Sequence, residues 1–200
     1  MNHHLNKVLN NIRDCQVCAA HLPYPPKPII HIHSAQARLL IIGQAPSLKV
    51  QNTGMPWNDA SGERLRTWLN MQREQFYNDP RIAIMPMGLC YSGTGTHGDL
   101  PPRPECAPLW HAKVIEQLTD LKLILLIGRY AQRYHLGKAC KATLAQTVQS
   151  FADYAPLYFP LPHPSPRNLG WFKQHPWFAD TVLPALQARL QAEQLTLIEG

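Results

Sequence analysis

The chain has 200 residues, of which 45% are apolar, enough for one domain with a full hydrophobic core. No apolar run reaches the roughly 18 residues that span a bilayer, and MNHHLNKVLNNIRDC lacks the apolar stretch of a secretory signal, so no membrane span and a cytoplasmic location are expected. Nineteen basic against 13 acidic residues, a formal charge of +6, suit a phosphate-rich partner without requiring one.

Residues 3–14 carry Leu5, Val8, Leu9 and Ile12 on one helical face and predict a short amphipathic helix. Cys15 and Cys18 follow, then the proline-rich LPYPPKP, which cannot be helical. Residues 38–43 (RLLIIG), 81–86 (RIAIMP) and 122–128 (KLILLIG) are short continuous apolar runs, as expected of strands buried on both faces. A fourth strand is expected at 158–161. Helices are expected at 61–77, 105–118, 129–136 and 175–190, while 92–104 (SGTGTHGDLPPRP) reads as a loop. Strands alternating with helices predict a three-layer α/β/α sandwich around a mainly parallel four-stranded sheet, in a single domain over residues 1–200. Ligands of such sheets sit beyond the carboxyl ends of the strands, which places the loops starting at Gly43, Met87 and Pro162 around one cleft.

Two of those loops carry chemistry. Gly43-Gln44-Ala45-Pro46-Ser47 follows the first strand, where a glycine admits close backbone approach and a proline stiffens the turn. His163-Pro164-Ser165-Pro166-Arg167-Asn168 follows the last, with prolines fixing the backbone around a histidine and a serine. Ser165 and Arg167 are groups that could hold a phosphate. The five cysteines, in a chain without a secretory signal, do not suggest a disulfide framework.

In their order along the chain, GQAPS, then Gly54-Met-Pro-Trp57-Asn-Asp59-Ala-Ser-Gly62, then HPSPRN resemble the motifs of the uracil-DNA glycosylase superfamily. The spacing of Cys15, Cys18, Cys90 and Cys106 is similar to that of its iron–sulfur branch. The resemblance implies an enzyme that flips a uracil or other deaminated base out of DNA and hydrolyses its bond to deoxyribose, with a monomer as the expected state. Carried over by position, Asp59 would stabilise the sugar cation and position water. His163 would donate to the oxygen of the departing base. Gly43, Gln44, Ala45 and Trp57 would hold that base, and Ser165, Arg167 and Asn168 would hold DNA. The four cysteines would ligate a [4Fe–4S] cluster or, alternatively, a structural zinc, with Cys140 outside the set. Ala45 stands where the best-known branch has an aspartate but the iron–sulfur branches also have alanine, and the absence of a carboxylate at Gln44 leaves Asp59 as the one good acid in the cleft. Gln44 stands where one iron–sulfur branch has glutamate. The segment from Pro56 to Asp59 is one residue shorter than expected, and Pro86 occupies a position where several branches read uracil with asparagine. These departures fit a broader base range. They also fit a second possibility, a DNA-binding relative without catalysis. A third, a nucleotide-binding α/β protein with a zinc site, lacks a phosphate loop.

Overall fold

Short apolar runs can bury both faces only between two helical layers, and the chain assembles them in that way. The computed structural model describes residues 3–96 and 98–195; the outermost positions of the expected 1–200 domain, and residue 97 of the 92–104 loop, lie outside the described residues. In chain order the elements are α1 (His3–Arg13), β1 (Leu39–Ile42), α2 (Leu48–Thr53), α3 (Ala60–Leu69), α4 (Arg73–Asn78), β2 (Ile82–Ile84), β3 (Thr94–Gly95), β4 (Gly98–Asp99), α5 (Cys106–Ile115), β5 (Leu123–Ile127), α6 (Arg129–Leu136), α7 (Leu144–Gln149), β6 (Tyr158–Leu161), α8 (Leu169–Gln174) and α9 (Leu183–Ala192). Among the described residues no helix is long and apolar enough to cross a membrane.

The main sheet has four parallel strands in the order β2-β1-β5-β6. Successive side chains alternate between its faces. Leu40, Ile42, Ala83, Met85, Ile124 and Leu126 pack against Leu5, Leu9 and Ile12 of α1, Trp110 and Val114 of α5 and Ala131 of α6. Leu39, Ile41, Ile82, Ile84, Leu123 and Leu125 pack on the other side against Leu65, Trp68 and Leu69 of α3, Phe76 of α4, and Leu186 and Leu190 of α9. This is the expected three-layer α/β/α sandwich. The outer edge of β2 is covered where His31 and Ile84 exchange two backbone hydrogen bonds, at 2.8 and 2.9 Å. On the opposite edge β6 contains Pro160, which an edge strand tolerates.

Three expected elements differ in detail. The helix expected over 61–77 is two, α3 and α4, because Asn70 turns left-handed (φ 52) and its N–H closes α3 on the Arg66 and Thr67 carbonyls. Asparagine is among the few residues that visit this region readily. The break lets Leu69 and Phe76 enter one core. The closing helix expected from residue 175 begins later: α8 ends at Gln174 with His175 as its C-cap, Pro176 cannot continue it, and a π-helical turn (Phe178–Val182) leads into α9. The loop expected over 92–104 holds the antiparallel β3–β4 hairpin, with left-handed glycines at Gly93 (φ 104), just before β3, and at Gly98 (φ 121), which opens β4.

Replacing Asn70 with alanine places a Cβ-bearing residue without a local hydrogen-bonding side chain in the left-handed region, at a cost of about 1 kcal/mol. Asn70→Ala should lower the urea midpoint while Asn70→Gly holds or raises it. Equal midpoints for the two variants would show that the turn carries no such cost.

Candidate active site

The carboxyl ends of β1, β2 and β6 open onto one cavity of about 430 Å³. Every pocket and loop residue singled out from the sequence lines it: Gly43, Gln44, Ala45, Trp57, Asp59, His163, Ser165, Arg167 and Asn168. The first loop is tied to the exit of β2 by two backbone bonds, Met87 N–H to the Gly43 carbonyl and Gly88 N–H to the Gln44 carbonyl, each 2.9 Å.

Asp59 is both a helix cap and a wall of the cavity. Its Oδ1 accepts the Gly62 N–H at 3.0 Å, capping α3, and its Oδ2 accepts the Ser47 hydroxyl at 3.2 Å. Ser47 in turn caps α2, accepting the Val50 N–H. The carboxylate is therefore fixed at the start of a helix, where it satisfies a backbone N–H that has no partner within the helix. The Trp57 ring lies so close to Gly43 that a Cβ there would stand 2.6 Å from it. The same ring sits 5.5 Å, centroid to centroid, from His163.

Burial lowers the pKa of His163, against the opposing pull of Asp59 and Asp99, so the imidazole is neutral at physiological pH. Its backbone carbonyl accepts the Asn168 side-chain amide at 2.8 Å. Ser165 Oγ accepts the Arg167 N–H at 3.2 Å and closes the turn. Arg167 reaches the hairpin: a Cβ at Gly98 would stand 1.9 Å from its Nη1.

Several contributors were not foreseen. Asp99 lines the cavity and acts on His163, so Asp59 is not the one acid there. It was hidden in a polar, glycine-rich stretch. Arg64 of α3 donates to the Pro164 and Ser165 carbonyls at 3.1 and 3.2 Å and anchors the second loop. Pro86 also lines the cavity, and its carbonyl lies 3.2 Å from Nε2 of the buried His111. A carbonyl can only accept, so His111 carries its proton on Nε2. Its Nδ1 must then accept from His135 Nε2–H at 3.0 Å. Burial pushes both imidazoles down to about 4, so the relay is neutral.

The cysteine set converges at the opposite end of α5 from Ile115. Cys18, Cys90 and Cys106 are buried, Cys15 is partly exposed, and all are free thiols. Burial pushes Cys90 up to about 12 and Cys106 up to about 11, and the neighbouring Cys15 and Cys18 thiols add to both shifts. The Lys27 and Leu89 backbone groups hydrogen-bond the Cys90 and Cys106 sulfurs. Among the described residues no three His, Cys, Asp or Glu side chains stand close enough to hold a metal ion. A single tetrahedral zinc requires sulfurs about 3.8 Å apart, from Zn–S bonds near 2.3 Å. A four-iron cluster is a larger body that accepts wider spacing, and amide donors to sulfur are part of such sites. Four thiols, two of them with backbone donors to sulfur, form a donor set suited to a thiolate-held cluster or to a structural zinc. Cys140 lies apart, 3.2 Å from Arg129 Nη1.

An α/β sandwich with a capped carboxylate, a neutral histidine and an aromatic plane around one strand-end cavity has the layout of an enzyme pocket. The profile of the Uracil DNA glycosylase superfamily matches residues 30–187, and the chain belongs to that superfamily, whose members are typically DNA glycosylases. The match includes both loops, Asp59, Cys90 and Cys106; Cys15 and Cys18 precede it.

Burial lowers the folded-state pKa of His31, His111, His135 and His163 below the ordinary 6.5. Between those values the unfolded chain binds more protons, so stability is full above pH of about 6.5 and falls as pH drops towards about 4. Asp79, whose carboxyl is held low by Arg81, adds its loss only below that window. Urea midpoints should decline across the window, less steeply in His135→Gln. A flat profile would show that these histidines are not buried neutral.

Proposed function

We propose that the protein is a DNA glycosylase that excises uracil or another deaminated base from DNA. The observation that carries this reading is that Asp59 and a neutral His163 share one cavity with the Trp57 ring, close enough for the carboxylate to act on the imidazole. A base inside the stack cannot enter such a cavity, so the nucleotide must be flipped. The bond from C1′ to the base nitrogen breaks with positive charge on the sugar and negative charge on the base. Asp59 stabilises the first and orients the water whose oxygen bonds to C1′. His163 donates a hydrogen bond to the base oxygen and stabilises the second. Gly43, Gln44 and Ala45 border the base, Trp57 stacks on it, and Ser165, Arg167 and Asn168 meet the DNA backbone.

Pro86 gives its side of the cavity no amide, and its carbonyl is engaged by His111, so the pocket reads a base by other groups. The reading includes a [4Fe–4S] cluster on Cys15, Cys18, Cys90 and Cys106, with zinc as the alternative occupant. The cluster would supply a structural cross-link between the N-terminal segment and α5, with no part in bond cleavage. One observation favours a second reading, a DNA-binding relative without catalysis: both Asp59 oxygens already accept hydrogen bonds within the protein.

The deciding assay uses oligonucleotides bearing uracil, hypoxanthine or xanthine, followed by alkali. Cleavage should occur at one of these bases and fall about 100-fold or more in Asp59→Asn and His163→Ala. Asparagine caps a helix as well as aspartate does, so Asp59→Asn should unfold at the wild-type midpoint and separate chemistry from capping. DNA binding without cleavage of any of the three would favour the second reading.

For the cysteines, protein purified without oxygen should be brown with about four irons per chain, and Cys90→Ser should lose them. A colourless protein with about one zinc per chain would select zinc.

A further inference from the structure

The turn that presents Trp57 is held in an unusual way. Trp57 has φ 57, a left-handed conformation that is an outlier for a bulky aromatic residue, and such outliers persist only where the surroundings impose them. Two glycines make room for it. Gly43 lies under the ring, and a Cβ at Gly62 would stand 1.7 Å from the Trp57 carbonyl oxygen.

Three consecutive residues of the turn are each gripped by a donor from α3 or α4. The Tyr77 hydroxyl donates to the Pro56 carbonyl at 2.8 Å. Arg66 Nη1 donates to the Trp57 carbonyl at 3.2 Å. Arg73 Nη2 donates to the Asn58 side-chain oxygen at 2.9 Å. Arg66 is 7% exposed, and among the described residues no carboxylate pairs with it. It lies instead beside the rings of Phe76 and Tyr77, with centroids 5.6 and 5.9 Å away. A buried guanidinium without a counter-ion is expensive, and a helix-to-helix packing site would be filled more stably by an apolar side chain of similar volume. What Arg66 contributes that such a side chain cannot is the hydrogen bond to the carbonyl of the outlier residue, with a second, 3.5 Å bond to the Tyr77 hydroxyl that grips the same turn. Tyr77 is buried too, which raises its phenol pKa and keeps the hydroxyl a donor.

We propose that Arg66 and Tyr77 are positioning residues that hold Trp57 as the stacking plane of the base cavity. The role in base binding rests on the glycosylase reading of that cavity, whereas the grip on Trp57 does not. Neither side chain lines the cavity, so both act through Trp57.

The test has two arms on the full-length protein. In the first, the protein is labelled with 5-fluorotryptophan, which gives one fluorine resonance for each of its five tryptophans, with Trp57→Phe identifying the Trp57 signal. Tyr77→Phe, which removes only the hydroxyl, and Arg66→Lys, which keeps the charge, should each shift or broaden that resonance and leave the other four in place. An unmoved Trp57 signal in both variants would overturn the proposal, whatever happens with DNA. Tyr77→Phe preserves the packing and keeps this arm decisive if Arg66 variants fold poorly.

In the second arm, affinity is measured for single-stranded oligonucleotides carrying 2′-fluoro-2′-deoxyuridine or 2′-fluoro-2′-deoxyinosine, whose glycosidic bonds resist cleavage. Trp57→Ala and Tyr77→Phe are combined in a double-mutant cycle. Tyr77→Phe should weaken binding several-fold in the wild-type background and have no further effect in Trp57→Ala. Additive losses would overturn positioning through Trp57. If the fluorine signal moves but no variant changes affinity for either probe, the grip on Trp57 stands and the assignment of the cavity as a base site fails.

Discussion

A parallel sheet covered on both faces by helices leaves only the ends of its strands in contact with water, and that constraint decides where polar chemistry can be placed. Leu39 to Ile42 and Leu123 to Ile127 are wholly buried, so no functional group can stand along them. The chain therefore places its polar groups in the loops beyond the strand ends. Gly43, Pro86 and His163 all lie just beyond a carboxyl end and meet in one cavity. The helices around that cavity act as supports, with Arg64 of α3 holding the second loop and His111 of α5 holding the Pro86 carbonyl.

Asp59 shows how little separates scaffold from site. One oxygen starts α3 and the other receives the hydroxyl that starts α2 through Ser47. The first loop, two helix N-termini and the cavity wall thus share a single carboxylate. Such an arrangement fixes the group within a narrow range of positions, which suits a role near a developing cation. The same bonds reduce its freedom to act as a base, which makes orientation of water the more natural task for it.

Much of this was legible in the sequence, for identifiable reasons. The strands were readable because burial on both faces demands unbroken apolar runs, and the loops because glycine and proline punctuate them. The short helices were not: Leu48–Thr53 and Leu144–Gln149 are single-turn segments with few apolar positions. The capping box of Thr143 and Gln146 was a signal for the second. The break at Asn70 depends on one dihedral angle that asparagine permits but does not require. Asp99 was invisible because nothing in a Gly/Thr-rich stretch announces that it folds back over a cleft. The left-handed Trp57 is a tertiary effect, imposed by Gly62 and by donors nine and twenty residues further along, at Arg66 and Tyr77.

The strand-like segment around His31 has a role beyond leading from the cysteines to the sheet. It occupies the hydrogen-bonding edge of β2 over a single bridge, with Ile29 adding a backbone bond to Leu89 at 2.7 Å. An uncovered strand edge is a template for the strands of other molecules. Detaching this segment would therefore expose an edge prone to self-association and would also open the cavity, because Ile29 and Ile84 both line it.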